Sequence, residues 1–317
     1  MDVSIIIPHW NGKQHLDDCL NALRQQTVDN FEVLLVDNAS TDGSQAYVRE
    51  HFPEVKLIEL AENRGFTGAC NAGWHASQGD IVILLNNDTE VAPEWLSEVI
   101  GAFERHPEAG IVASKMLLFD QRDTFHTAGD LMYINGTPNN RGVWQKDTGQ
   151  FDTEAYVFSA CGGSSAYRRT MLEDVGFLDD DFFFSCEDVD LGWRAQLAGW
   201  RCVYVPTAVV YHKLKATGGS VTGSYYDGRN FLALLWKNYP TSLLKTEWRT
   251  VVRAQLNITR EALRHWRGEA ARARLKGQLA GLRIAPTMLA KRRTIQANRR
   301  VSDDYLRSIL SQIDEHD

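Results

Sequence analysis

The sequence predicts an α/β fold in which a mainly parallel central sheet is covered by helices on both faces. Four short apolar runs, at 3–8, 31–36, 55–60 and 80–85, alternate with stretches whose apolar residues recur at helical spacing. Turn-forming Pro, Gly, Asn or Asp residues separate the runs from the helical stretches. Strands that alternate with helices over about 110 residues favour parallel pairing, because each crossover between parallel strands needs room for a helix.

Size and composition fit one large domain or a domain with an appendage. The chain has 317 residues, of which 44% are hydrophobic and 24% are charged, so we do not expect a disordered protein. Its five cysteines are widely spaced without a C-x-x-C pair, which favours neither a disulfide framework nor a zinc site. We expect a cytoplasmic protein without a signal peptide or membrane span, because no basic leader and no run of 18 apolar residues is found.

Charge divides the chain unequally. Residues 241–317 hold 16 Lys and Arg against 8 Asp and Glu, whereas residues 1–240 hold 18 against 33. The basic part predicts amphipathic helices with breaks at Gly268, Gly277, Gly281 and Pro286. Its first helix alternates apolar residues with arginines at 249, 253, 260, 264 and 267. Such a helix suits an anionic membrane surface, but packing on residues 225–240 or on a second subunit explains it equally well.

A candidate ligand site follows the apolar run at 81–85. Asn86, Asn87 and Asp88 come directly after these five residues, which predict a buried strand. Open α/β sheets bind ligands at the carboxyl ends of their strands. A carboxylate there, beside other oxygen ligands, suits a divalent cation that also holds a diphosphate. The alternative is that the two asparagines form a turn and Asp88 caps the next segment.

Three further stretches carry polar groups or glycines where a ligand could approach. A loop at 62–68 contains Asn63 and Arg64 ahead of a helical stretch at 69–77, which is a plausible diphosphate site. The paired Gly162 and Gly163 indicate either close approach of a ligand or a β-bulge. After the strand-turn-strand pattern at 201–212, residues 213–223 are rich in Gly, Thr and Ser and predict a mobile loop.

Asp188 and His212 are ambiguous from the residues alone. Asp188 begins a predicted helix, and the spacing Ser185-x-x-Asp188 fits a capping box as well as a catalytic base. His212 ends an apolar run, where a histidine is more often packed than a metal ligand.

Taken in order, six segments resemble the inverting family 2 glycosyltransferases of the GT-A fold, particularly the non-processive, rhamnosyltransferase-like bacterial members. These segments are 5–8, 36–44, 63–66, 84–89, 182–184 with 187–191, and 210–212. Each is weak alone, but six in the family's order are specific, and they span residues 3 to about 240. The resemblance therefore implies a Rossmann-like GT-A domain followed by a C-terminal helical extension.

The resemblance also implies roles for donor-side residues. Pro8 and Asp37 are expected to line the nucleotide pocket, with Asp37 facing the base. Asn63 and Arg64 are expected near the nucleotide and its phosphates. Each of these residues matches the corresponding family segment in this sequence.

The remaining matches concern the metal and the base. Asp88 matches the metal-binding acid of the D-x-D motif, and the first position of that motif, which contacts the sugar or ribose, is Asn86 here rather than Asp. Asn87 lies between them as a further donor-side residue. Asp188 matches the catalytic base, and His212 matches the histidine that completes the metal's coordination in several relatives.

The implied activity is inverting transfer of a sugar from a nucleotide-diphosphate donor, with Mg²⁺ or Mn²⁺ as cofactor. A dTDP-rhamnose-like donor is favoured, and the acceptor is a hydroxyl of a glycan or lipid-linked molecule in cell-surface polysaccharide synthesis. Residues 1–110 form the nucleotide-binding half, 111–240 the acceptor-side half, and 241–317 the basic extension. Peripheral attachment to the inner membrane face and a homodimer stay open, and no nucleic-acid partner is expected.

Rival functions lack their own signatures. A sugar-nucleotide dehydrogenase would need G-x-G-x-x-G after the first strand, where this chain has Pro-His-Trp-Asn-Gly at 8–12. A nucleotidylyltransferase would need a glycine-rich basic loop there, and a processive synthase would need membrane spans and a Q-x-x-R-W sequence. A non-catalytic sugar-nucleotide-binding or scaffold protein that retains the fold stays as the alternative.

Overall fold

A computed structural model describes residues 2–214 and 221–312. The strands in this part are β1 (Val3–His9), β2 (Phe31–Asp37), β3 (Lys56–Glu59), β4 (Ile81–Leu85), β5 (Thr89–Val91), β6 (Ala109–Leu118), β7 (Phe125–Thr127), β8 (Asp130–Met132), β9 (Pro138–Asn140), β10 (Ala155–Val157), β11 (Ser164–Arg168) and β12 (Arg201–His212). The α-helices are α1 (Leu16–Arg24), α2 (Ser44–His51), α3 (Gly65–Ala76), α4 (Trp95–Arg105), α5 (Arg169–Val175), α6 (Glu187–Leu197), α7 (Val221–Lys237), α8 (Thr241–Arg264), α9 (Glu269–Arg283), α10 (Ala285–Ala297) and α11 (Asp303–Ile309).

The central sheet confirms the predicted α/β architecture. Its strand order is β10-β12-β6-β11-β4-β1-β2-β3, with β5 paired to β12 and β7 to β6. The first four strands along the chain are parallel to one another, as the alternating pattern predicts. β11 is antiparallel to both β4 and β6, and β12 is parallel to β6. Therefore β1, β2, β4, β6 and β12 all end at the same edge of the sheet.

Both faces of the sheet are buried, because alternate residues of each strand point to opposite sides. Ile5 and Ile7 of β1 pack in a cluster with α1 and α4, whereas Ile6 packs in a second cluster with α3 and α6. The continuous apolar runs in the sequence follow from this two-sided burial. A third cluster joins α6 and α7 to the C-terminal helices through residues such as Trp193 and Met288.

Two predicted boundaries are wrong. The strand-turn-strand pattern at 201–212 forms one continuous strand, β12, whose register against β6 shifts between Val205 and Val209. A bulge thus absorbs the proline that suggested a turn. The helix predicted from residue 69 begins at Gly65, because the Phe183 carbonyl accepts hydrogen bonds from the Phe66 and Thr67 amides and holds the first turn. Part of the mobile loop predicted at 213–223 lies outside the described residues.

The C-terminal helices contain a further correction, at Gly277 and Gly281. Gly268 and Pro286 lie at helix ends as predicted, but these two glycines lie inside α9. α9 crosses α7 so closely that a Cβ at Gly277 would come within 2.0 Å of the Tyr225 carbonyl oxygen. Glycine is therefore required for helix contact rather than for a break. No helix within residues 2–214 and 221–312 is long and apolar enough to cross a membrane.

Candidate active site at the carboxyl edge of the sheet

The end of β4 brings Asp88 close to His212. Asn87 and Asp88 form the turn into β5, which pairs antiparallel with the end of β12 and places Thr89 opposite His212. The Nε2 atom of His212 lies 3.1 Å from Oδ1 of Asp88, and the amide of Lys213 donates to the Asp88 carbonyl. The side chain of Asp88 thus faces β12, although the predicted turn also exists.

Asp88 is buried but is held in its charged form. Burial alone raises the pKa of a carboxyl group, but hydrogen bonding and charge from His212 outweigh it and lower the pKa of Asp88. A buried carboxylate beside a histidine nitrogen is a donor set that suits Mg²⁺ or Mn²⁺.

Two protein ligands are too few for an all-protein metal cage. In the described part of the chain, no three His, Cys, Asp or Glu residues are grouped so that they could hold a metal ion. This arrangement suits a metal whose remaining ligands come from a bound diphosphate and water, as Mg²⁺ sites commonly require. The donor set therefore fits the predicted cofactor.

A second histidine lies behind His212. The Nδ1 atom of His126 lies 3.1 Å from Nδ1 of His212, and its Nε2 lies 3.4 Å from the Asn140 amide nitrogen. Burial lowers the pKa of His126 to about 3, so its ring is neutral. Nδ1 of His126 can accept a hydrogen bond from Nδ1 of His212, so that Nε2 of His212 could offer its lone pair to a metal ion once the metal replaces the proton it shares with Asp88.

The ends of β1 and β2 form the predicted nucleotide side. Asp37 is buried, and its Oδ2 accepts hydrogen bonds from the Ser40 amide and from Gln45. Its Oδ1 is buried without a hydrogen-bond partner among the described residues, which leaves an acceptor for a ligand. Pro8 lies half-buried in the adjacent strand, opposite Val36.

Asn63 and Arg64 lie exposed beside this edge, where Asn38 orders their backbone. The Asn38 side chain donates to Asn63 Oδ1 and accepts from the Arg64 amide. Because the Phe183 carbonyl binds the Phe66 and Thr67 amides, the start of α3 has fewer free amides than a diphosphate site at a helix N-terminus would use. The exposed Arg64 guanidinium keeps a cation available there.

Asn87 points toward β1 rather than toward Asp88. Its Nδ2 lies 2.7 Å from Nδ1 of His9, which ends β1. Asn86, by contrast, lies on the metal side, with Nδ2 3.5 Å from Nε2 of His212. The structure therefore brings Asn86, Asp88 and His212 together and directs Asn87 to the neighbouring strand.

Asp188 lies at the same edge because β11 runs antiparallel. The residue before β11, Gly163, accepts a hydrogen bond from the Asn86 amide, and the Gly162 amide donates to Oδ2 of Asp188 at 2.7 Å. The capping-box reading is wrong, because α6 begins without a side-chain cap. Ser185 instead donates to Asp227 of α7.

Glu187 and Asp188 share an acidic environment. Burial and the Asp188 charge raise the pKa of Glu187 well above its usual range. Burial also raises the pKa of Asp188, but the amides of Gly162 and Val189 oppose this effect. Oε2 of Glu187 is buried with no partner among the residues described, so we assign the shared proton to Glu187 and the charge to Asp188.

Gly162 and Gly163 lie beside residues of both halves of the site. A Cβ at Gly162 would lie 3.4 Å from Oδ2 of Asp188, and one at Gly163 would lie 3.4 Å from Cε1 of His212. The glycine backbone thus lies next to both the carboxylate of Asp188 and the ring of His212. A Cβ at Gly163 would also come within 2.9 Å of the Met116 methyl group, so the close approach of these side chains favours glycine there.

The loop before Asp188 has an unusual backbone that α7 holds in place. Phe183, Ser185 and Cys186 all have φ between 61° and 67°, a region that disfavours residues with a Cβ. The buried Asn230 places its Nδ2 within 3.1 Å of the carbonyl oxygens of Phe182, Phe184 and Ser185. Asn230 therefore fixes the segment from which α6 and Asp188 begin.

Sequence patterns did not single out three residues that contribute to this geometry. His126 and Asp130 lie in the loosely patterned region 110–149, and burial raises the pKa of Asp130, with a further contribution from the charge of Asp188. Asn230 was hidden in a helical run. Its position inside the apolar face of α7 was a usable signal, because a buried amide there needs partners.

Comparison with known proteins decides the family. The model for "Glycosyl transferase family 2" matches residues 4–176, more than half of the chain. The chain belongs to glycosyltransferase family 2. It is therefore a glycosyltransferase enzyme, and the fold described above is the predicted GT-A fold.

Two family relatives resemble this glycosyltransferase over about two thirds of its length. The O-antigen biosynthesis protein RfbC of Myxococcus xanthus is 32% identical over 226 residues, which cover 67% of this chain but 17% of RfbC. The N-acetylglucosaminyl-diphospho-decaprenol L-rhamnosyltransferase of Mycobacterium tuberculosis is 31% identical over 238 residues, which cover 68% and 77% of the two chains. This family 2 enzyme is thus rhamnosyltransferase-like in sequence.

A solved structure supports the fold. The mannosyltransferase PcManGT from Pyrobaculum calidifontis, in complex with GDP-Man and Mn²⁺, superposes with a TM-score of 0.58. The match covers 97% of this glycosyltransferase and 82% of PcManGT at 18% sequence identity.

Proposed function

We propose that this glycosyltransferase inverts the anomeric carbon as it transfers a sugar from a nucleotide-diphosphate donor to an acceptor hydroxyl. The observation that carries the proposal is that Asp188 lies against Gly162 while His212, which contacts Asp88, lies against the adjacent Gly163. Leaving group and attacking group must approach the anomeric carbon from opposite faces in a single displacement. A base at Gly162 and a diphosphate-binding pair at Gly163 would meet that requirement if the donor sugar binds between them.

On the donor side, Asp88 and His212 would hold the metal, Mg²⁺ or Mn²⁺. A metal ion bound there supplies stabilisation for the negative charge that develops on the leaving diphosphate. We propose that Asn86 contacts the donor beside these ligands. Asn87 acts indirectly, by orienting His9 at the edge of the nucleotide pocket.

The nucleotide occupies the edge formed by β1 and β2. Oδ1 of Asp37, which is buried and free to accept, faces a donor N–H of the base, and Pro8 lines the same pocket. Asn63 and Arg64 lie toward the phosphates, where the guanidinium of Arg64 pairs with phosphate oxygens.

On the acceptor side, Asp188 serves as general base. The acceptor oxygen attacks the anomeric carbon as the bond to the diphosphate oxygen breaks, and the hydroxyl proton passes to the Asp188 carboxylate. Protonated Glu187 keeps a second negative charge away from Asp188, while the amides of Gly162 and Val189 orient its oxygens. No second nucleophilic carboxylate is needed, unlike in retaining hydrolases.

The favoured donor is dTDP-rhamnose or a similar sugar nucleotide, and the favoured acceptor is a glycan or lipid-linked molecule of cell-surface polysaccharide synthesis. Support comes from the Mycobacterium tuberculosis relative, which is named for L-rhamnosyl transfer to a decaprenol-linked sugar, and from the O-antigen protein. Residues 1–110 bind the nucleotide, 111–240 face the acceptor, and 241–317 attach the enzyme to its surroundings.

We place the enzyme in the cytoplasm at the inner membrane face, where such an acceptor is accessible. The rival use of residues 241–317, a homodimer, would bury the same helices against a second copy. A non-catalytic sugar-nucleotide-binding or scaffold protein would keep the donor pocket without needing a charged Asp188, and it would release no diphosphate from any donor.

A thermal-shift screen against dTDP-, UDP- and GDP-sugars, with and without Mn²⁺, tests the proposal. A donor at 100 times its Kd stabilises the fold by about 2.7 kcal/mol, and the shift should require Mn²⁺. Release of nucleoside diphosphate from the stabilising donor then distinguishes an enzyme from a scaffold protein. Absence of any Mn²⁺-dependent shift, or of release with acceptor present, contradicts the proposal.

A further inference from the structure

Helix α8 carries three stripes along its length. Its 24 residues span about 36 Å, and successive residues rotate by about 100°. One stripe, with Val251 and Ala262, is buried. The next about 80° of arc holds the large apolar residues Trp248, Val252, Leu256 and Leu263, and Trp266 follows in the turn after the helix. The arc beyond it holds Arg249, Arg253, Arg260 and Arg264, and Arg267 follows in the same turn.

The apolar stripe is uncovered. Its five side chains are 46–57% exposed, although apolar residues of this size normally bury their surface. The neighbouring helix α9 adds Leu279 and Leu282, which are 57% and 54% exposed. Scattered exposed leucines need no explanation, but a stripe of four large apolar residues on one helix, extended by Trp266 in the turn after it, indicates an interaction surface.

Charge identifies what covers the stripe. The rim beside it is cationic along its whole length, and Arg249 and Arg267 stand near the rings of Trp248 and Trp266. The two acidic residues of α8 lie outside the exposed apolar stripe and the arginine stripe. One of them, Glu247, is bound by Arg307 of α11. The occupant must therefore offer an apolar layer beside a row of anionic groups.

A second copy of this chain fits poorly. In a two-fold symmetric dimer the same surface meets itself, so two strongly basic surfaces would be brought together. Like charges at a contact are repulsive, and α8 and α9 together hold nine Lys and Arg against three Asp and Glu. An anionic bilayer has no such conflict, because its phosphates pair with arginine and its acyl region accepts tryptophan and leucine.

We propose that α8 lies in the plane of an anionic membrane surface, with Trp248 to Trp266 inserted at the headgroup boundary and the arginines on lipid phosphates. Helix α8 is linked to the site through α9, which contacts both α8 and α7. Helix α7 in turn carries Asn230, which binds the loop before Asp188. The surface thus holds the acceptor side of the enzyme near membrane-embedded substrates. Membrane attachment itself does not require the proposed transfer reaction.

Co-sedimentation of the full chain with phosphatidylcholine–phosphatidylglycerol vesicles tests the proposal, with pure phosphatidylcholine vesicles for comparison. We expect binding to the anionic vesicles only, falling as salt is added. The double variant Trp248→Ala/Trp266→Ala should lower the vesicle-bound to free ratio by about tenfold or more. Its matched control is Trp144→Ala, because Trp144 is 65% exposed and lies outside α8.

A charge variant provides the second arm. Arg253→Glu should weaken binding to anionic vesicles, whereas Arg293→Glu, an equally exposed position on α10, should not. All these side chains are exposed, so thermal unfolding should be unchanged. The proposal is overturned if the intact chain ignores anionic vesicles, or if the variants bind as their controls do. It is also overturned if sedimentation equilibrium shows a dimer that Trp248→Ala/Trp266→Ala dissociates. Thermal shifts with nucleotide sugars, measured without vesicles, report the transfer proposal independently.

Discussion

Asp88 and His212 stand at the ends of adjacent elements of one sheet, whereas Asp188 begins a helix that follows a loop of left-handed residues. The first pair is positioned by the backbone hydrogen bonds between β5 and β12. Asp188 depends on Asn230, whose amide reaches the Ser185 carbonyl from 45 residues further along the chain. The metal side is therefore held by strand pairing, while the base side depends on a few tertiary hydrogen bonds.

The largest expected effect is on the base side. Asp188→Asn should lower turnover by about 10²-fold or more while preserving fold and donor affinity, because the amide cannot take the acceptor proton. In the unaltered enzyme, turnover should fall as the pH drops through the raised pKa of Asp188, since the protonated carboxyl is no base. Initial rates of nucleoside-diphosphate release check both points. Full turnover in the variant would show that Asp188 only binds the Gly162 amide.

A change at Asn230 tests whether the base side depends on α7. Asn230→Leu removes the donor that three carbonyls share and should lower turnover by about 10- to 100-fold, because a small displacement of a catalytic group is costly. The matched control is Gln196→Leu, since Gln196 is a buried amide that donates to the Val157 and Phe158 carbonyls.

Both variants should lose about 1–3 kcal/mol of unfolding free energy through unsatisfied carbonyls, as chemical denaturation will measure. Only Asn230→Leu should lose turnover at unchanged donor affinity. Equal losses of turnover in both would mean that the effect is one of general stability.

A smaller effect is expected behind the metal side. His126→Phe keeps an aromatic ring but removes the acceptor for Nδ1 of His212, so Mn²⁺ should bind about tenfold more weakly in the presence of nucleotide. Electron paramagnetic resonance titration of free Mn²⁺ measures this. His106→Phe, at a half-buried histidine paired with Glu154, is the control and should bind Mn²⁺ normally. Unchanged affinity in His126→Phe would mean that His212 is oriented by its strand alone.

The same contrast explains what the sequence could predict. The run ending in Asn86-Asn87-Asp88 predicts a buried strand with polar groups at its end, so the fold and the position of Asp88 follow from local pattern, whereas the role of His212 follows from the family resemblance. The neighbourhood of Asp188 does not, because its loop takes φ values that its residues disfavour and that tertiary contacts such as those of Asn230 hold in place. The role of His126 was not predicted for a related reason, since its contact with His212 joins residues 86 positions apart.

Calorimetric titration of Asp88→Ala and Asp188→Asn with the preferred nucleotide sugar, with and without Mn²⁺, tests the division into two sides most directly. We predict that Asp88→Ala loses the Mn²⁺-dependent part of donor binding, because His212 alone cannot hold the ion. Asp188→Asn should bind the donor with the affinity of the unaltered enzyme. Unchanged Mn²⁺-dependent affinity in Asp88→Ala would contradict the account, since Asp88 would then be only a residue of the turn between β4 and β5.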